Sequence, residues 1–510
     1  MAFASIAFII AATASLLVAP RVRELAWRAG FVDKPDSHRK VQSKPVAFGG
    51  GLILTIAIAT AFSIVALFFD ELRNSVANAN KPLLGLLIAA IIVVVTGVVD
   101  DRFGMRGRHK LLWQIVAATI AVGSGKMINS VDILGLHIPI GIFGFAITAI
   151  WVLGSVNAFN LIDGVDGLAS TVGFVISLAL GIISVLRNDI PDAVIAFAMA
   201  GSLLGFLYFN WFPATIYLGD AGSMLIGILL GTIALRCSIK EVATTAAAPM
   251  LAIWSILIFD SSAAVVRRKL TGRSIYDCDR GHIHHRLQSK GYSAKQTSLF
   301  VGLLCTLTSF AAIASVYFNL PILGLAMAVL VVAGLIATRI FGHVEAGLAG
   351  KRIIQFGRNS IQPLQRVPQN QSDTTRLQGD VKWEKVWQSV VESAEQLGLS
   401  NVRLNLHIAR HHEDFFASWK SKDDRNDPEG TRATWSIERP IVFDGMTFGR
   451  IVAEGHQVEL DSNSQIEFLE FSDELICQIR SLINGSSLVL DLPGGFGNKP
   501  TPGVEMSPQP

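Results

Sequence analysis

Asn157-Ala-Phe-Asn160-Leu-Ile-Asp163-Gly-Val-Asp166-Gly167 closes an apolar run that reads as a membrane span, and its polar residues recur at every third position. That spacing keeps side chains aligned in a tightened or broken helix and drifts only slowly around a regular one. Gly164 and Gly167 stand where a regular helix disfavours glycine. Two carboxylates and two amides at a bilayer edge are expensive unless water, a cation or a polar ligand meets them. A polar loop between spans is the plain alternative for this segment taken alone.

Working outward, the chain is 510 residues long, 51% apolar and 16% charged, which excludes an ordinary soluble protein for most of its length. The net charge of +3 carries no sign of nucleic-acid binding. Cys237, Cys278, Cys305 and Cys477 have neither metal-type nor disulfide-framework spacing and read as reduced thiols. Eleven apolar runs follow one another: Phe3 to Val18, Phe48 to Phe69, Leu83 to Val99, Leu111 to Gly123, Ile140 to Gly154, Leu168 to Val185, Ala193 to Phe209, Gly222 to Leu235, Ala246 to Ala264, Ser298 to Phe318 and Ile322 to Ile340. Several fall short of the ~20 residues of a perpendicular span, so broken helices are expected among them. The first has Arg21, Arg23 and Arg28 behind it and no basic residue ahead, the reverse of a cleaved signal, and reads as an uncleaved span starting outside.

Lys and Arg crowd into the loops after odd-numbered runs, as in Arg39, Lys40, Arg102, Arg106, Arg108, Lys110 and Arg267 to Lys269, and are sparse after even-numbered ones. This puts the odd loops, the stretch at 157–167 and the tail in the cytoplasm. The expected fold is therefore an all-α polytopic membrane protein of about eleven transmembrane helices (1–341). A polar, basic linker (342–380), a small α+β domain (381–484) and a disordered Gly/Pro-rich tail (485–510) follow. In the α+β domain Trp383, Trp387, Val390 and Ala394 mark a helix face, Val402, Leu404, Leu406 and Ile408 a strand, and Asp444-Gly445 a hairpin turn. Its tryptophans read as core and His411-His412-Glu413-Asp414 as a solvated loop.

Five polar islands fall in or beside the five loops assigned to the cytoplasm. The first runs from Asp33 through Arg39 and Lys40 to Gly49-Gly50-Gly51, a basic, glycine-rich helix start suited to an anion. The second is Asp100-Asp101-Arg102; consecutive helical residues point about 100° apart, so the two carboxylates cannot share one task. The third is the 157–167 stretch. In the fourth, Asn210 to Ser223, Asp220 sits among small residues where a span begins; capping explains the Asp but not its company. The fifth, Arg273 to Arg286, carries His282, His284 and His285, which with its arginines would suit a diphosphate. Zinc is the competing idea there, but the hard oxygens elsewhere favour Mg²⁺ or Mn²⁺. Together these parts are what phosphoryl transfer at a membrane surface requires.

The ordered set Asp100-Asp101, Asn157 to Gly167, Gly219-Asp220-Ala-Gly-Ser and His282-Ile-His-His285 resembles the polyprenyl-phosphate N-acetylhexosamine-1-phosphate transferases over about Phe3 to Ile340. The resemblance implies catalytic roles for Asp100 and Asp101, one of them a base toward a lipid phosphate, and Mg²⁺ (or Mn²⁺) on Asn160 and Asp220. It implies that Asn210, His282, His284 and His285 line the nucleotide-sugar site, with Asp163 and Asp166 close to the cation and also candidate substrate contacts; Asn157, Arg39, Lys40 and Arg273 are read from the residues as further substrate-binding candidates. The implied reaction moves N-acetylglucosamine 1-phosphate from its UDP form to undecaprenyl phosphate, leaving UMP, at the cytoplasmic face of a bacterial inner membrane. His-Ile-His-His looks like the N-acetylglucosamine branch of the family. Two departures stand in the first loop: Gln42 where the family often has His, and Ala47 where it has a second Pro. A homodimer and a docking partner for the C-terminal domain are further expectations. The rival classes are an ion-coupled transporter, which should carry acids at mid-bilayer, and a sensor module on an inert anchor.

Overall fold

Where no water reaches the backbone, each N–H and C=O must be satisfied within its own segment, so long apolar runs fold as helices. The computed structural model describes residues 2–33, 45–125, 127–128, 130–133, 136–239, 247–270, 281–347, 350, 371–378, 383–408, 413–421, 434–443, 446–456 and positions 472, 473, 475, 476 and 479. Arg39, Lys40, Arg273, the Asp444-Gly445 turn and the tail 485–510 lie outside the described residues. The chain divides into two compact units, Met1–Gly357 and Arg358–Pro510.

In the first unit the helices are α1 (Ala2–Arg28), α2 (Gly50–Phe68), α3 (Asp70–Asn78), α4 (Asn80–Phe103), α5 (Gly107–Ser124), α6 (Phe143–Ile162) and α7 (Leu168–Leu186). They continue as α8 (Ile190–Asn210), α9 (Gly219–Ile239), α10 (Ala247–Leu270), the short α11 (Ile283–Ser289), α12 (Ala294–Tyr317) and α13 (Ile322–Ala337). Each of the eleven apolar runs is helical over most of its described length. Among the described residues nine helices are long and apolar enough to cross a membrane; α5 opens on Arg108, His109 and Lys110, and α13 is shorter. The protein is a polytopic membrane protein. Several helices outrun the apolar stretches that seed them: α4 continues through Asp100, Asp101 and Arg102, α8 through Asn210, and α9 starts at Gly219. The acids at the edges of the apolar runs thus ride on helix ends.

The pillar of the bundle is α9, whose apolar stretch is wholly buried. Small residues let its neighbours approach. A Cβ on Gly227 would meet the Val156 backbone of α6 at 2.5 Å, and one on Gly97 of α4 would meet Ala221 of α9 at 2.3 Å. Short strands absent from the sequence reading bind the loops at the same end. These are β1 (Val32–Asp33), β2 (Val46–Phe48) and β5 (Ile216–Tyr217), ordered β1-β2-β5 with Ala47 opposite Ile216 in a parallel pair. A separate hairpin joins β3 (Ser130–Ile133) to β4 (Leu136–Pro139).

The second unit carries α14 (Trp383–Gln396) and an antiparallel sheet of β6 (Gln371–Gln378), β7 (Asn401–Ile408), β8 (Glu413–Lys420), β9 (Thr434–Phe443) and β10 (Met446–His456), ordered β6-β8-β7-β10-β9. Trp383, Trp387 and Val390 of the helix share a core with Leu404, Phe415 and Trp419 of the strands, so the tryptophans are core. Two strands depart from the sequence reading. β6 falls in the stretch taken as linker, and Glu413-Asp414 opens β8 instead of ending a loop. Gln-Ser-Asp-Thr-Thr-Arg-Leu-Gln has no apolar alternation because an edge strand is held by backbone pairing, here to β8.

Candidate active site

At the end of the bundle where α4, α6 and α8 finish and α5, α7 and α9 begin, the polar islands meet. The two adjacent aspartates of α4 part as their 100° separation requires. Asp101 reaches across to the start of α9, accepting the backbone N–H of Asp220 at 2.9 Å and of Ala221 at 3.4 Å. It caps that helix from outside, where orphan amides and the helix dipole favour an anion. Gly219 has φ +71°, and a Cβ there would lie 2.6 Å from an Asp101 oxygen, so glycine is required twice over. Asp100 instead accepts the Met105 N–H at 2.6 Å and turns its other oxygen to Lys110 Nζ at 3.0 Å.

Lys110, in the first turn of α5, is the point on which four helices converge. Its ammonium lies 2.6 Å from Asp220 Oδ2, 3.0 Å from Asp100 Oδ2 and 3.1 Å from Asn160 Oδ1. Asn160 in turn donates to Asp220 Oδ1 at 2.5 Å and to Ser223 Oγ at 3.1 Å. One turn deeper, Asn157 donates to Gln114 Oε1 at 3.1 Å and to the Leu153 carbonyl, so it braces α6 on α5 behind the cluster.

The stretch at 157–167 is a helix end followed by a turn: Asp163 ends α6, and Gly167, at φ +74° against Trp211, starts α7. Desolvation, reinforced by the charges of Asp220, Asp101 and Asp166, holds the Asp163 carboxyl well above the usual range. Asp166 accepts the Ala214 N–H at 2.9 Å; burial raises its carboxyl, and that bond opposes the rise. Asn210 is buried with both ends engaged, accepting from Ser170 Oγ at 2.8 Å and donating to the Ile216 carbonyl at 3.0 Å. It joins α7, α8 and β5, a scaffold role that sequence spacing could not distinguish from ligand contact.

The histidines close the site. A Cβ on Gly164 would lie 2.5 Å from His284 Nε2, so the fifth island packs directly on the third. His284 is buried, and desolvation together with the neighbouring His285 pushes its imidazole down to about 3. It therefore meets any ligand as a neutral ring. The positive charge expected of this segment cannot come from His284.

Among the described residues, no three His, Cys, Asp or Glu side chains are grouped so as to hold a metal unaided. What converges instead is an amide oxygen and two carboxylate oxygens around one cationic nitrogen. This hard-oxygen set suits Mg²⁺, which ordinarily takes one or two carboxylates and completes its shell with water and substrate phosphates.

The family model described as glycosyl transferase family 4 matches residues 83–238, which hold Asp100, Asp101, Lys110, the 157–167 stretch and Asp220. Over 310 residues the chain is 30% identical to the probable undecaprenyl-phosphate N-acetylglucosaminyl 1-phosphate transferase of Bacillus subtilis, covering 84% of that protein and 60% of this chain. The chain belongs to the polyprenyl-phosphate N-acetylhexosamine-1-phosphate transferase family. This transferase is also 32% identical to the decaprenyl-phosphate N-acetylglucosaminephosphotransferase of Mycolicibacterium smegmatis, over 84% of that protein and 62% of its own length. To the undecaprenyl-phosphate alpha-N-acetylglucosaminyl 1-phosphate transferase of Escherichia coli K12 it is 27% identical, over 79% of that protein and 58% of its own length.

Sequence reading missed two of the transferase's site residues. Lys110 was legible only as one more basic residue in a basic loop, though Gln114, one turn on and facing the same way, hinted at a polar face. Asp260 was the plainer signal, a lone carboxylate inside the apolar run that became α10.

Proposed function

We propose that the protein transfers N-acetylglucosamine 1-phosphate from UDP-N-acetylglucosamine to undecaprenyl phosphate, releasing UMP, and so starts a cell-surface polysaccharide at the cytoplasmic face of the inner membrane. The observation that carries this reading is the meeting of Asp100, Asp220 and Asn160 oxygens on Lys110 Nζ at one end of the bundle. A transporter would carry such acids at mid-span. The names of the relatives support the sugar and the lipid, and the bias of basic residues supports the orientation.

In this reading Asn160 and Asp220 would hold Mg²⁺, which when bound supplies neutralisation of diphosphate charge. Asp101 is a positioning group: its hydrogen bonds to the Asp220 and Ala221 amides fix the start of α9, and with it the Asp220 carboxylate. Asp100, free of that duty, is the carboxylate suited to take a proton from the lipid phosphate. Lys110 offsets charge on the transferring phosphoryl group, and the histidine segment lies beside it as part of the donor site. Direct attack by the lipid phosphate requires no covalent intermediate on the chain.

The test is transfer of label from a panel of UDP-N-acetylhexosamines to undecaprenyl phosphate by purified protein, with chelator and with Mg²⁺ or Mn²⁺ added back. UDP-N-acetylglucosamine should label lipid only when the divalent ion is present. Chelator-resistant transfer would remove the metal assignment, and no lipid label from any sugar would remove the reaction.

A further inference from the structure

One buried carboxylate takes no part in the chemistry above. Asp260 of α10 is 2% exposed, the lone carboxylate of that helix, where an ionised group is costly unless its partners compensate. Both of its oxygens address the histidine segment. Oδ2 is 2.7 Å from His282 Nδ1, and Oδ1 accepts the backbone N–H of Ile283 at 2.8 Å. An ionised carboxylate can only accept, so the proton between Asp260 and His282 sits on Nδ1. That leaves the Nε2 lone pair as the ring's acceptor toward a ligand.

The consequence extends beyond one ring. The imidazoles of His282 and His284 are stacked, with centroids 5.9 Å apart and planes 6° from parallel, and His285 follows at 4.2 Å from His284. His284 seats its Nε2 on Gly164, in the turn between Asp163 and Asp166. A continuous run of contacts therefore leads from Asp260 through His282 and His284 to the acidic turn. Beside it, Arg267 of the same helix packs against Gly281 and pairs with Glu345 beyond the last span, which steadies the residue just before His282.

We propose that Asp260 is the positioning residue of the histidine array. It fixes the ring plane and the tautomer of His282, so that the Nε2 lone pair is presented as an acceptor to a hydroxyl group of the nucleotide-sugar donor while the parallel His284 ring is held on Gly164. This rests on the donor reading given above only in what Nε2 meets; the Asp260–His282 couple itself does not depend on it. The logic is that of metal-site and hydrolase histidines, where a carboxylate behind the ring decides which nitrogen carries the proton.

Asp260→Asn separates positioning from mere bracing. The amide oxygen can still accept the Ile283 N–H, but its NH2 group faces His282 Nδ1, which must then accept, moving the ring proton to Nε2. Asp260→Ala removes both bonds. The full-length chain and both variants, in lipid nanodiscs, are compared by thermal unfolding, by kcat and KM for UDP-N-acetylglucosamine, and by ¹⁵N spectra of labelled histidine. The expected result is an Asp260→Asn protein that unfolds as the parent does, with kcat lowered about 10- to 100-fold, KM changed less than about threefold, and one imidazole switched in tautomer. That switched signal should be missing from a His282→Gln protein. Parental kcat in Asp260→Asn, or no imidazole change, overturns the proposal. So does activity lost only in step with thermal stability across both variants, which would make Asp260 a brace. Should the parent itself transfer no sugar, the reaction reading fails, while the ¹⁵N spectra still decide whether Asp260 sets the His282 proton.

Discussion

Gly97→Ala is the substitution that best tests whether the site depends on the closeness of α4 and α9. The new Cβ would fall 2.3 Å from the N and Cα of Ala221 and 2.7 Å from the carbonyl carbon of Asp220, all of them backbone atoms that cannot swing away. Restoring ordinary contact requires the two helices to part by at least about 1 Å. Asp101 lies four residues on, on the same face of α4, and its 2.9 Å bond to the Asp220 amide cannot survive such a step, nor can the 3.4 Å bond to Ala221. Overpacking costs about 1–3 kcal/mol, partly offset by the ~1 kcal/mol that alanine gains over glycine in a helix, so the variant should fold. A displacement near 1 Å at a reacting centre lowers rate about 100-fold. The assay is label transfer to undecaprenyl phosphate, with thermal unfolding alongside. Gly154→Ala, where a Cβ meets nothing within 4 Å, is the control and should behave as the parent. If the loss runs through Asp101, Gly97→Ala should add little to Asp101→Asn. A Gly97→Ala protein within threefold of the parental rate would refute the reasoning.

Lys110→Met removes the cation bonded to Asp100, Asp220 and Asn160 and should lower transfer about 10²- to 10³-fold; Lys110→Arg should not restore it, because a planar fork cannot occupy a point shared by three oxygens. Retention of more than a tenth of the parental rate by the Met variant would exclude Lys110 from the chemistry. The raised carboxyl of Asp163 has a consequence for stability. The folded state binds that proton more tightly than the unfolded chain, so the group's stabilisation is full below the ordinary carboxylate range and is lost as pH rises through the folded value. Asp163→Asn should therefore unfold at higher temperature than the parent at neutral pH, in chelator, with the gap closing in acid; a lower unfolding temperature at pH 8 would count against the assignment.

The helical runs were legible because hydropathy and backbone satisfaction point the same way, and each of the eleven apolar stretches is helical over most of its described length. Their ends were not. Apolar windows stop at the first charge, whereas α4 carries on through Asp100-Asp101-Arg102 because bonds to neighbouring elements satisfy those groups. Strands of two or three residues such as β2 and β5 carry no periodicity to detect, and β6, an edge strand of mostly polar residues, has nothing to distinguish it from a linker.

The site was legible as a set of islands but not as a set of roles, because role follows from direction. Asp100 and Asp101 are chemically identical in sequence, yet one turns to an ammonium and the other to a helix start. Lys110 shows the deeper reason. A basic residue at the end of a span is already accounted for by the rule that orients spans, so nothing in the sequence asks for a second explanation. At a membrane edge with Asp100, Asp101, Asp163 and Asp220 gathered together, however, some cation must stand among them for the fold to tolerate their charge. Asp260 is the converse case. No orientation rule explains an acid within an apolar run, so it should have been asked what it holds, and the structure answers with His282 and the Ile283 amide. The residues most worth questioning in such a chain are the charges that topology has already excused and those that it cannot.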